Sequence, residues 1–368
     1  MQADDATKEA ERALRLCSAC MFCDDYCAVF PAIAGKHDFS LTDVSYLANL
    51  CHNCRGCYHA CQYAPPHELA VNLPQALARV RSRSYAGFAR PRWLGRAFAH
   101  NATIVALVSV LCVLAVLLVA DPAQLFSASS GEGAFYRVVP REIMVGGALA
   151  ALALSLTTLA LAVAAFWRAI APDGSRTELL RALPRALADA VTLRYLGGGD
   201  GGCGDRIEAP SRRRRLYHHL TVGGVALSFA ATAVGAYYHR WLGWEAPYPL
   251  LSLPVGLGAV GGVLMLLGAG GLILQKVRAD RTPSATETLP GDYALLVLII
   301  GNAASGLALL AWRATSAMGL LLTLHLGLVL ALFLLLPVSK LVHAPFRFAA
   351  LWRAAVERDQ SASRHRQD

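Results

Sequence analysis

Cys17, Cys20, Cys23 and Cys27 are spaced C-x2-C-x2-C-x3-C, and Cys51, Cys54, Cys57 and Cys61 repeat that spacing. Three thiolates two residues apart wrap a loop around three corners of one [4Fe–4S] cube, and the fourth leaves on a different path. In two-cluster ferredoxins that fourth Cys ligates the other cluster. The spacing therefore predicts one cluster on Cys17, Cys20, Cys23 and Cys61, and a second on Cys51, Cys54, Cys57 and Cys27. The chemistry is one-electron transfer. Four disulfides fit poorly, because such regular runs are unlike a secreted framework and no signal peptide is expected before them. Two zinc sites also fit less well, since structural zinc takes ligand pairs separated by a longer knuckle. In neither set does Pro directly follow the fourth Cys: Ala28 and Gln62 stand there, which leaves cluster exposure and potential open. Cys112 and Cys203 fall outside the spacing and are not expected to ligate iron.

Histidines form a second group of candidate ligands, this time in hydrophobic sequence. Imidazole is a common axial ligand to haem iron, and helix bundles build such sites from facing helices. His218 and His239 are 21 residues apart, ~31 Å along a helix, and His325 and His343 are 18 apart, ~27 Å. Neither pair could share one haem from a single helix. Eighteen residues return to one helix face and 21 come within about 60° of it, whereas His219 and His239 point to nearly opposite sides. Two facing helices would then place His239 with His325 at an outer haem b site, and His218, or His219, with His343 at an inner one. One haem is expected and a second is compatible with the spacing. Histidines at helix ends are often interfacial residues without a cofactor, a reading that applies to His219 and His343. His37, His52, His59, His67 and His100 receive no role.

The elements that must position these groups divide sharply. The whole chain is 55% apolar and 16% charged, but residues 1–99 are polar and Cys-rich. From Thr103 onward, six apolar runs are each near the ~20 helical residues that cross a bilayer: 103–120, 143–166, 216–238, 253–275, 293–312 and 317–339. With the N-terminus inside, all but four of the 34 Lys and Arg lie in inner segments, the exceptions being Arg137, Arg141, Arg240 and Arg313. That asymmetry predicts cytoplasmic N- and C-termini. The fold class is all-α: a cytoplasmic, helical ferredoxin-like domain (1–99) with two clusters, a six-span membrane domain (100–343), and a basic cytoplasmic tail (344–368). Within the first, Ser40 to Asp43 has the form of a capping box before a helix that runs into Cys51, and residues 73–83 read as an amphipathic helix. Arg212 to Arg215 abut a membrane helix and suit anionic lipid headgroups better than nucleic acid.

No dinucleotide fingerprint is present, and the Gly-rich stretch from Gly197 to Gly204 lacks the Lys-Ser/Thr of a phosphate loop. The chain thus has no evident means of oxidising an organic substrate itself, and its electron donor must be a separate protein. The apolar runs hold no Asp, Glu, Lys or Arg, which argues against a transporter of polyanions.

The stretches CSACMFCDDYCAVFPAI, LANLCHNCRGCYHACQYAPPHELAVNLPQALA, SRRRRLYHHLTVGG and MGLLLTLHLGLVLALF resemble the tricarballylate (citrate) utilisation protein B family, which includes the membrane half of CobZ-type fusion proteins. The resemblance covers nearly the whole chain, with the two Cys motifs and the APPHE segment its most specific part. It implies a multi-pass protein of the bacterial inner membrane that reoxidises the reduced FAD of a partner flavoprotein dehydrogenase and passes electrons to quinone. It also implies haem b, with the histidines above as candidates. The competing reading is a redox-sensing membrane iron–sulfur protein without quinone turnover.

Overall fold

In the computed structural model, which describes residues 4–128, 131–197 and 211–364, every regular element is helical. The Cys-rich part holds α1 (Asp5–Cys20), α2 (Val29–Ile33), α3 (Leu41–Leu50), α4 (Gly56–His59), α5 (Leu73–Phe88) and α6 (Trp93–Ala99). At the start of α1, the Asp4 carboxylate accepts the Thr7 amide at 3.0 Å, an anion at the positive end of the helix dipole. The capping box opens α3, with Ser40 Oγ accepting from the Asp43 amide at 3.1 Å and Asp43 accepting from the Ser40 amide at 3.2 Å. Past Arg83, α5 continues to Phe88, because Tyr85 is anchored edge-on against Phe98 and Phe346. Leu14, Phe30, Ile33, Tyr46, Leu47, Leu50 and Leu77 are fully buried between these helices.

The remainder comprises α7 (Asn101–Val119), α8 (Ala134–Val138), α9 (Arg141–Ile170), α10 (Arg176–Val191), α11 (Arg213–Tyr237), α12 (Leu253–Arg278), α13 (Leu289–Trp312), α14 (Met318–Leu334) and α15 (His343–Arg364). Five helical segments, 101–119, 141–170, 213–242, 253–278 and 286–312, are long and apolar enough to cross a membrane. Leu107, Leu111, Leu118, Leu149, Leu154 and Leu161 point outward, as side chains facing lipid do. The sixth apolar run is shorter than expected. Its helix, α14, has 17 residues and ends at Leu334, because Pro337 lacks an amide donor and its ring disfavours helical geometry before it. Seventeen residues span ~26 Å, at the lower limit for a transmembrane helix.

Small residues bring α11 and α12 into backbone contact. A Cβ on Gly224 would lie 2.6 Å from the Gly261 carbonyl, and one on Gly268 would lie 2.5 Å from the Thr221 amide. Such close approach replaces the hydrophobic drive that is missing between helices in lipid.

Two segments expected as polar connections pack into the architecture of the Cys-rich part. Where a basic tail is expected, α15 buries Phe346, Ala350, Leu351, Ala354 and Val356. Phe346 stacks on Phe166 of α9 at 4.7 Å, and both belong to the same core as Leu14, Phe30 and Leu47. α9 therefore extends beyond its apolar run into the Cys-rich part. α10 lies against α15, where Ala182 and Ala186 meet Ala355 and Val356, and Trp352 Nε1 donates to the Leu179 carbonyl at 2.8 Å. The Gly-rich connector from Gly198 onward and Cys203 lie outside the described residues.

Candidate metal centres

Each cysteine motif sits where a helix ends and the backbone turns sharply. Cys17 and Cys20 occupy the last turn of α1, which Met21 closes in the left-handed region (φ 48°), its amide donating to the Cys17 carbonyl at 2.8 Å. A single 3-10 turn, Asp24–Tyr26, then delivers an extended Cys27. Cys51 caps the C-terminus of α3. After it, Asn53 (φ 52°) and Arg55 (φ 66°) are both left-handed, a conformation that costs a non-glycine residue about 1–2 kcal/mol and clusters at functional sites. These reversals turn Cys51, Cys54 and Cys57 inward. The Asn53 amide also donates to Cys51 Sγ at 3.4 Å.

The thiols gather in two crossed sets. Burial, then the neighbouring Cys61, Cys23 and Cys20, push the Cys17 thiol up to about 12. Burial, then Cys61 and Cys20, push Cys23 up to about 11. Burial raises Cys27 well above the usual thiol value, with Cys54 and Cys51 adding to it and the amides of Val29 and Phe30 opposing. Burial likewise raises Cys57, which feels Cys54, Cys27 and Cys51, and also Cys23 where the two sets meet. The fourth cysteine of each motif thus lies with the other motif's first three. All eight are free thiols. Thiols crowded out of water in this way favour a bound cation that takes them as thiolates. Among the described residues no three Cys, His, Asp or Glu side chains converge closely enough to share one metal ion; a cubane spreads its four thiolates around a larger body. The donor set suits iron–sulfur chemistry.

The two surroundings differ. Around Cys17, Cys20, Cys23 and Cys61 the wall formed by the described residues is uncharged, including Leu16, Phe22, Phe30, Tyr63 and Leu73, and Cys20 is exposed. The Cys51 loop instead lies among arginines. Arg81 and Arg347 donate to the Cys51 carbonyl at 2.6 and 2.9 Å, and Arg214 donates to the Asn53 carbonyl at 2.6 Å. Burial, then Arg81, lowers the Arg347 pKa to about 10. His52 is buried here with Nδ1 2.8 Å from the Leu50 carbonyl. Sequence reading placed Arg214 in a basic run suited to lipid headgroups and assigned Arg81 and Arg347 nothing, because no local pattern separates Arg81 from the more exposed Arg79 and Arg83 on the same helix.

Of the five candidate haem histidines, His218 on the second turn of α11 and His343 at the start of α15 come together. Their ring centroids are 6.2 Å apart with planes at 84°. A metal–imidazole bond of about 2.0 Å, plus about 1 Å to the ring centre, would put two axial imidazoles about 6 Å apart, so the spacing fits two ligands on one iron. His343 Nδ1 lies 2.5 Å from the Lys340 carbonyl, which fixes the tautomer and frees Nε2. Burial, then Arg347 and His218, hold His343 down to about 3, keeping it neutral. His218 Nδ1 is buried without a hydrogen-bond partner. His219 turns away, its Nε2 3.3 Å from the Thr192 carbonyl.

At the other end of the bundle, His239 sits in a π turn, 238–242, edge-on to Tyr136 at 5.5 Å, with Nδ1 buried and unpaired. His325 Nδ1 is 3.0 Å from Ser305 Oγ, and its ring lines a cavity of about 370 Å³ between α11, α12, α13 and α14. Gly306 leaves room for that ring, since a Cβ there would lie 2.9 Å from His325 Cε1. Among the described residues His239 and His325 make no ring contact with each other.

Residues 10–87 match the family model described as the Citrate utilization protein B Fer4-like domain, and residues 95–364 match Citrate utilization protein B. A curated Escherichia coli protein named Citrate utilization protein B is 40% identical over 354 residues, which cover 95% of this chain and 92% of that protein. No solved structure matches the chain.

Proposed function

The chain belongs to the citrate utilization protein B family, and from that membership we propose that it is a membrane-bound iron–sulfur electron carrier. It takes electrons from the reduced FAD of a partner flavoprotein dehydrogenase and delivers them to quinone. In this reading Cys17, Cys20, Cys23 and Cys61 hold one [4Fe–4S] cluster, and Cys27, Cys51, Cys54 and Cys57 hold the other. The bound clusters supply one-electron steps that divide the two-electron flavin donor into single-electron traffic. His218 and His343 are the favoured axial ligands of a haem b on the cytoplasmic side, with His325 and His239 as candidates for a second. The helices of residues 1–99 face the cytoplasm, and the bundle of five long apolar helices and the shorter α14 lies in the inner membrane.

One observation carries the reading. Arg347, one helical turn beyond His343, donates to the carbonyl of Cys51, so the helix that carries His343 is tied directly to the cysteine loop. Protein purified anaerobically should show iron, acid-labile sulfide and, after dithionite, broad bleaching beneath sharp b-type bands. Iron–sulfur bleaching alone would remove haem and leave a carrier or a redox sensor. Absence of both signals would refute the proposal.

A further inference from the structure

A charge out of water needs a counter-charge, and among the described residues no carboxylate pairs with three of the arginines at the second cysteine site. Arg81 is only 6% exposed. Together Arg81 of α5, Arg347 of α15 and Arg214 of α11 bring three separate helices onto the carbonyls of Cys51 and Asn53. Among the described residues none of the three forms a salt bridge. The neighbouring Asp292 is already held between Lys276 at 2.6 Å and Lys340 at 2.8 Å, a group that is itself net cationic. Carbonyl dipoles satisfy the guanidinium donors without cancelling their charge. The natural counter-anion is whatever the four thiolates hold. A cluster bearing four thiolates is negative, and reduction makes it more so. Among the described residues no charged side chain lines the first site, and one of its cysteines reaches solvent.

We propose that Arg81, Arg347 and Arg214 are positioning residues that raise the reduction potential of the Cys27, Cys51, Cys54 and Cys57 site above that of the first, so that electrons run from the exposed Cys20 edge inward to His343. The inference rests on the electron-carrier reading above. Each transfer oxidises the first cluster by one electron and reduces the second by one, with no bond or proton changing hands. Burial alone acts in the opposite sense, because it disfavours the more highly charged reduced state. The arginines outweigh it because Arg81 is buried alongside the site, and Arg347 and Arg214 partly so, where solvent ions screen less than at an open surface. Net charge and hydrogen bonding are among the levers that set such potentials.

The test uses the full-length protein, purified anaerobically, with iron and sulfide measured before a potentiometric titration followed by electron paramagnetic resonance. Wild type should show two cluster steps. R347Q, R81Q and R214Q should each lower the higher step and leave the lower one in place. A unit charge on the order of 10 Å away, at an effective dielectric near 20, changes such an equilibrium roughly tenfold, so the equilibrium constant for moving an electron from the first cluster to the second should fall by about that factor. R347K keeps the charge and should keep the potential, an outcome that a purely structural role would not produce. Arg214 is only partly buried, and R214Q decides the matter if the other substitutions prevent assembly. Movement of the lower step, of both steps together, or of neither in fully loaded protein would overturn the inference. Protein with no cubane content would instead refute the electron-carrier reading.

Discussion

Asp292→Asn asks how far charge holds the long apolar helices to the cysteine-bearing core. Asp292 lies in the first turn of α13, with its side chain 12% exposed. It bridges Lys276 near the end of α12 and Lys340 just before α15, at 2.6 and 2.8 Å. The amide preserves shape but leaves two neighbouring ammonium groups unopposed. Removing one partner of a buried ion pair costs about 3–5 kcal/mol. The lysines are 26% and 23% exposed and keep part of their hydration, which brings the expected loss to about 2–3 kcal/mol. Unfolding of the detergent-solubilised protein, followed by tryptophan fluorescence at one fixed scan rate, should show a clearly lower midpoint. Lys276→Met should recover part of the loss in the double variant, with a coupling of about 1–2 kcal/mol. An unchanged midpoint, or zero coupling, would show that the triad contributes nothing to the joint.

Four further outcomes are expected. Cys61→Ser should remove about half of the iron and sulfide, because it strips one cluster of a ligand, while the protein still reaches the membrane fraction; full retention of iron would refute the crossed assignment. Phe346→Ala should destabilise the protein by about 3–5 kcal/mol, as buried aromatic truncations do, and a wild-type melting curve would mean that α15 is dispensable. Gly268→Val places side-chain atoms against the Thr221 backbone and should prevent accumulation of folded protein, whereas normal yield would show that α11 and α12 can separate freely. Although burial alone would raise it, the Ser40 hydroxyl, with Lys36 and Arg353, holds the Asp43 carboxyl below its ordinary 3.8. A depressed carboxylate adds stability that is whole above that ordinary value and is lost as pH falls through the folded value. Asp43→Asn should therefore flatten the acid limb of the stability–pH curve, measured as unfolding midpoint against pH, and an identical limb would exclude Asp43 as a contributor.

Local chemistry accounts for what the sequence made legible. Two or three residues between cysteines leave the chain little freedom, so the motif spacing already suggested crossed sets of thiols. Apolar runs near 20 residues need no tertiary information to be recognised, because their length is set by the bilayer rather than by a partner. The capping box before Leu41 is equally local. Pro337, visible in the sequence, shortens α14, but a run of apolar letters through it concealed the break.

The rest depended on neighbours. Residues 344–368 read as a basic tail because arginines outnumber the acidic residues there, yet Phe346, Ala350, Leu351 and Ala354 fall on one face that is apolar enough only once α9 and α3 supply the opposite wall. Arg81 and Arg347 belong to helices at opposite ends of the chain, and nothing in either segment says that both would reach the Cys51 carbonyl. The sequence preferred His218 for the inner pair but kept His219 as an alternative. Adjacent residues on a helix point about 100° apart, so the rotation of α11 against α15, which side-chain packing sets, brings His218 to His343 and turns His219 toward Thr192.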